Sequence, residues 1–182
     1  IELDTCPVED NAALEAALQH AHAGPGPERR NSPMHVDSKI HHNTLINNIL
    51  AKIQANQAGV DSALMLDNLG FIAEMNGTNI FMVNNGKLLT PTADACLHGI
   101  TRALVLALAR AHGMDVEERN ISLTELYSAD EAFGTGSMGE LTPITEVDGR
   151  TLVNRAGTAV TQELVKMFEA THEKWSTPVA NL

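Results

Sequence analysis

The stretch that most constrains this chain is the apolar run 103–109, entered through Leu97-His98-Gly99-Ile100-Thr101-Arg102. An unbroken apolar run on a helix leaves no polar face, so the helix is expected to be buried on more than one side. A helix that starts behind a glycine leaves its first backbone N–H groups free and aims the positive end of its dipole outward. With the Thr101 hydroxyl added, such a start is a ready anion site. The same residues also fit an ordinary helix start in which Thr101 only caps.

The 182 residues are 43% hydrophobic, enough to bury the core of one domain and too apolar for wholesale disorder. The net charge of −11 comes with no basic stripe, which excludes nucleic-acid binding as the main activity but not a local anion site. The two cysteines, Cys6 and Cys96, form no metal-type pair, and none of the eight histidines has zinc-helix spacing, so no metal is expected. No charged-then-apolar leader opens the chain and no apolar run nears ~18 residues. A cytoplasmic protein without a membrane partner is therefore expected.

Along the chain, residues 1–3 are expected as a strand and a helix follows from about Asn11, capped by Asp10. Ala23-Gly24-Pro25-Gly26-Pro27 has the composition of a linker. A helix is expected over 44–57, with Leu45, Ile49 and Ile53 on one face and Gly59 as its stop. Residues 60–90 have the pattern of a β meander: strands at 63–67, 71–74, 79–83 and 87–90, with Asn84-Asn85-Gly86 as a hairpin turn. Residues 116–120 are expected as a strand. Ser122-Leu123-Thr124-Glu125 has the capping-box pattern of a short helix. A strand then runs into Gly134-Thr135-Gly136-Ser137-Met138-Gly139, a glycine and hydroxyl loop able to wrap a phosphate with N–H groups. A hairpin around Asp148-Gly149 and a helix over 160–172 close the chain. The sum is a mixed α+β fold.

From about Arg30 to Glu173 the sequence resembles the class IV aminotransferases, the fold-type-IV pyridoxal-phosphate enzymes. The likeness rests on ordered motifs: Leu66-Asp67 with Gly70-Phe71-Ile72-Ala73-Glu74, Thr78-Asn79-Ile80-Phe81, Thr90-Pro91, and Gly99-Ile100-Thr101-Arg102. Ala129-Asp130-Glu131, Thr135-Gly136-Ser137, Glu140-Leu141-Thr142-Pro143 and Val147-Asp148-Gly149 complete them. Within the family the chain is most similar to the branched-chain enzymes. The resemblance implies pyridoxal 5′-phosphate, with its phosphate on Gly99, Ile100, Thr101 and Ser137 and its pyridine nitrogen facing Glu74. Met138 and Gly139 would lie near the substrate carboxylate. Lys39, in Lys39-Ile40-His41-His42-Asn43, fits the family's Lys-x-x-x-Asn and would form the Schiff base. Counting back without gaps from Asn47-Asn48-Ile49-Leu50-Ala51 lands instead on His41, which cannot form that bond. Thr44 or Leu45 stands where the family has a tyrosine.

The resemblance further implies transamination of an apolar, branched-chain-like amino acid with a 2-oxo acid, 2-oxoglutarate, in a homodimer. A D-amino-acid transaminase or an aminodeoxychorismate-lyase-type enzyme would use the same scaffold. A degenerate relative that binds a phosphate ligand without turnover is the non-enzymatic alternative. Family members carry a small N-terminal domain that is expected to be absent or incomplete here. Residues 1–27 would then be a remnant and linker, 28–175 the large cofactor-binding domain, and 176–182 a tail.

Overall fold

The computed structural model describes residues 21–41 and 45–175. The strand over 1–3, the Asp10 cap, the helix that follows it up to residue 20, and the 176–182 tail lie outside those residues.

Residues 23–27, expected as a linker, instead run through the middle of the sheet. β1 (Ala21–Arg29) pairs in parallel with β2 (Ser62–Leu66) on one side and β8 (Glu140–Val147) on the other. Proline has no N–H to give a ladder and is tolerated in a strand where pairing is interrupted. Here the register with β2 slips between Pro25 and Arg29, the span that holds Gly26 and Pro27. The domain boundary expected at 27/28 therefore falls inside a strand.

The remaining strands are β3 (Ile72–Met75), β4 (Asn79–Asn84), β5 (Lys87–Thr90), β6 (Val116–Glu118), β7 (Glu131–Gly136) and β9 (Arg150–Thr151). The hydrogen-bonded order is β3-β2-β1-β8-β7-β4-β5-β6, with β9 on β8. The expected meander over 60–90 is thus two separate hairpins. β2 and β3 pair with each other, β4 and β5 pair with each other, and β7 and β8 fill the other side of β4. The turn at 84–86 forms as expected, with Asn85 at φ 49° and Gly86 at φ 76°.

Helix α1 (Ile46–Ala58) begins two residues later than expected and ends at Gly59, whose φ is 74°. Its buried face is not the Leu45–Ile49–Ile53 stripe. Ala51 and Ala55 are buried against Ala63 and Met65 of β2, while Ile46, Ile49, Leu50 and Ile53 stay exposed. Small residues let this helix lie close to the sheet. Helix α2 (Ile100–Ala111) buries Arg102, Val105, Leu106 and Ala109. It is not buried on several sides, since Ala103 and Ala107 form an exposed alanine stripe. Helix α3 (Leu123–Tyr127) has the complete Ser122–Glu125 capping box. Helix α4 (Val160–Trp175) delivers Leu164 and Phe168 to the core beside α2, where Phe81 of β4 and Phe133 of β7 stack with ring centroids 5.1 Å apart. Among the described residues, no helix is long and apolar enough to cross a membrane.

The two faces of α1 give a direct test. Ala51→Leu should overpack the α1–β2 contact and cost about 1–3 kcal/mol in urea unfolding, whereas Ile53→Ser should change stability by no more than about 0.5 kcal/mol.

Candidate active site

The N-terminus of α2, the β3–β4 turn and the loop after β7 surround an open cavity of about 590 Å³. Glu74, Gly99, Ile100, Thr101, Ser137, Met138 and Gly139 all line it. Gly99 is the N-cap of α2 and no side chain caps the helix, so Thr101 is not a capping residue. The first N–H groups of the helix are left for a ligand. Glycine is required at position 99 by close approach, since a Cβ there would collide with Asn79 Oδ1. Asn79 is in turn committed to the site: its Nδ2 donates to Leu97 O at 3.0 Å and to Glu74 Oε2 at 3.2 Å. Across the cavity, β7 ends in Gly134-Thr135-Gly136. Thr135 Oγ1 is buried and has no hydrogen-bond partner among the described residues. Ser137 is the hydroxyl expected from sequence and Thr135 is not, although a hydroxyl flanked by two glycines is a signal for it.

Glu74 lies in β3, whose residues are all buried. It also borders a smaller cavity of about 100 Å³ lined by Arg30, Asn48 and His41, so its carboxylate stands in the wall between the two cavities. Arg30 Nη2 meets Glu74 Oε1 at 2.7 Å, with both side chains about 6% exposed. Burial pushes the Glu74 carboxyl up to about 7, while the Arg30 charge and the Leu97 backbone pull it down. Cys96, buried nearby, has its thiol pushed up to about 12, first by burial and then by the Glu74 charge. Neither Arg30 nor Asn79 was singled out as a site residue from sequence, because nothing local marks a buried arginine.

Lys39 does not join this group. Its exposed ammonium lies 3.2 Å from Asp37 Oδ1 and donates to Asp94 O at 3.3 Å. It lines a neighbouring cavity with His98, Arg102 and Glu118, and His98 borders both spaces. His41, the position reached by the gapless count, lines the cavity of Glu74 and Thr101. Thr44 lies outside the described residues, and Leu45 lines the smaller cavity.

Known proteins match this chain in sequence and in fold. The family model for amino-transferase class IV matches residues 9–147. The branched-chain-amino-acid aminotransferase-like protein 2 of Arabidopsis thaliana is 50% identical over 151 residues, covering 83% of this chain and 27% of that protein. The branched-chain aminotransferase of Thermoproteus uzoniensis, solved with norvaline, superposes with a TM-score of 0.83 at 35% identity. That match covers 90% of this chain and 57% of the other. The enzyme from Thermobaculum terrenum, solved in its PLP-form, gives a TM-score of 0.82 at 34% identity over 89% of this chain and 56% of its own. The chain thus spans about a quarter of the Arabidopsis protein and little more than half of the solved enzymes. With its mixed α+β sheet and a family match across most of its length, the chain belongs to the amino-transferase class IV family.

Proposed function

We propose that this chain supplies the cofactor pocket of a pyridoxal 5′-phosphate-dependent aminotransferase acting on a branched-chain-like amino acid with 2-oxoglutarate, in a homodimer. The observation that carries the reading is a single cavity onto which a buried carboxylate, Glu74, and an uncapped helix N-terminus at Thr101 both open. The donor set suits a phosphate-bearing pyridine ring, and the buried, unpaired Thr135 Oγ1 adds one more hydroxyl to the same wall.

When bound, pyridoxal phosphate supplies an electron sink for the substrate's α-carbon. The N–H groups and hydroxyl at Ile100 and Thr101 would hold the phosphate, with Ser137 opposite. Glu74 would hold a proton on the ring nitrogen, since carboxylate and pyridinium stabilise one another in a buried setting. Met138 and Gly139, at the rim, would meet the substrate carboxylate. Lys39 would hold the cofactor covalently through Nζ. It is supported by lining the space next to the cofactor cavity, with His98 shared between them; among the described residues no other lysine lines either space. A second reading is favoured by His41, which lines the cavity itself. In it the pocket holds a phosphate-bearing ligand with no covalent link.

Borohydride reduction of the loaded protein followed by peptide mapping separates the two. A pyridoxyl label on Lys39 is expected, and a label elsewhere or none defeats the assignment. Thr101→Val should weaken pyridoxal phosphate binding by about 1.5–3 kcal/mol, measured by titration, and unchanged affinity would place the phosphate elsewhere. Glu74→Gln should still bind the cofactor but lose at least about tenfold in turnover, about 1.4 kcal/mol on the barrier. A rim carboxylate would leave the saturated rate untouched.

A further inference from the structure

We propose that Arg30 is a positioning residue: its guanidinium, clamped at the end of β1, opposes the neutralisation of buried Glu74 and keeps its carboxylate aimed at the cofactor cavity. The inference rests on the cofactor reading above. Three elements hold the guanidinium. Nη2 is on Glu74 in β3, Nη1 donates to Asn48 Oδ1 in α1 at 2.5 Å, and Nε donates to Ala95 O ahead of α2 at 3.3 Å. The Arg30 backbone N–H donates to Leu66 O at 2.9 Å, so the sheet fixes where the side chain starts. Asn48 is itself held, with Nδ2 donating to Asn76 O at 2.8 Å. Three separated acceptors suit the rigid fork of an arginine and not the single ammonium of a lysine.

Among the ion pairs of the described residues, this is the one with both side chains buried; Arg102, also buried, pairs with a Glu118 that is about a third exposed. A buried ion pair is not needed for stability, because apolar side chains of like volume hold elements together with no charge to desolvate. Glu74 of this pair lines the cofactor cavity, while Arg30 lines the smaller cavity on its other side. The groups around Glu74 are few. Asn79 and the Leu97 backbone donate hydrogen bonds, the Cys96 thiol is held neutral, His41 borders both cavities, and Arg30 is the charge that opposes desolvation. A guanidinium does not deprotonate in proteins. Its charge therefore favours the state in which Glu74 is a carboxylate and the shared proton stays on the ring nitrogen.

The test begins without cofactor, by carboxyl ¹³C NMR of glutamate-labelled protein. In Arg30→Gln the Glu74 midpoint should rise by at least about one pH unit, a tenfold gain in proton affinity. In Arg30→Lys it should rise less. An unchanged midpoint in Arg30→Gln overturns the inference. If Arg30→Gln fails to fold, Arg30→Gln/Glu74→Gln decides. A double variant that folds and melts near wild type shows that Arg30 acts through the Glu74 charge, and one that stays unfolded makes Arg30 a scaffold residue and overturns the inference. With ring-¹⁵N pyridoxal 5′-phosphate bound, the nitrogen signal should move toward its unprotonated position in whichever Arg30 variant folds, and an unmoved signal also overturns it. Failure of wild type to take up that probe would defeat the cofactor reading alone, while the apo titration still decides the role of Arg30.

Discussion

The parallel pairing of β1 with both β2 and β8 joins the molecule together. Without it the sheet divides into β3-β2 on one side and β8-β7-β4-β5-β6 on the other. The first part carries Glu74, and the second carries Thr135 at the end of β7. The cavity between them is lined by residues from both, so its shape depends on a strand in which four of nine residues are glycine or proline. The register slip after Pro25 lets two prolines enter a central strand without opposing a continuous ladder. The same strand sends the chain out at Arg30, beside Glu74.

Around Glu74 two large effects oppose each other. Taking a carboxylate out of water favours its neutral form, and a fixed guanidinium at 2.7 Å favours its charged form. The balance leaves the carboxyl near neutrality, well above an ordinary glutamate. In the empty protein this has a definite sign. Because the folded-state value lies above the unfolded one, the contribution of Glu74 to stability is complete at pH values below the usual 4.5 and is lost as pH rises toward about 7.

Much of the site was legible because its parts are local. Gly99-Ile100-Thr101 and the glycine and hydroxyl loop at 134–139 are short backbone motifs whose chemistry needs no distant partner. The turns at Asn85-Gly86 and Asp148-Gly149 show the same, with positive φ at each of these residues. What escaped was decided by tertiary packing. Gly-Pro repeats have linker composition, and only pairing with β2 and β8 makes residues 23–27 a strand. The apolar stripe on α1 pointed to the wrong face, because the sheet selected the small residues Ala51 and Ala55 for close contact. Arg30 and Asn79 look like ordinary polar residues until the elements holding them meet. The Lys-x-x-x-Asn spacing identifies a candidate amine but does not fix the path of the loop, and that path separates Lys39 from the cavity that His41 lines.

Cys96 has a consequence of a different kind. Its sulfur is buried beside Glu74, and its ionisation is pushed to about 12, so the intact fold holds almost no reactive thiolate at neutral pH. Alkylating reagents can reach it only through those moments when the segment between β5 and α2 comes away from the sheet. The rate at which this one sulfur is modified is therefore a clock for opening of the segment that leads into α2, whose next residue, Leu97, lines the cavity. It reports the breathing of the pocket wall, which a global melting curve averages away.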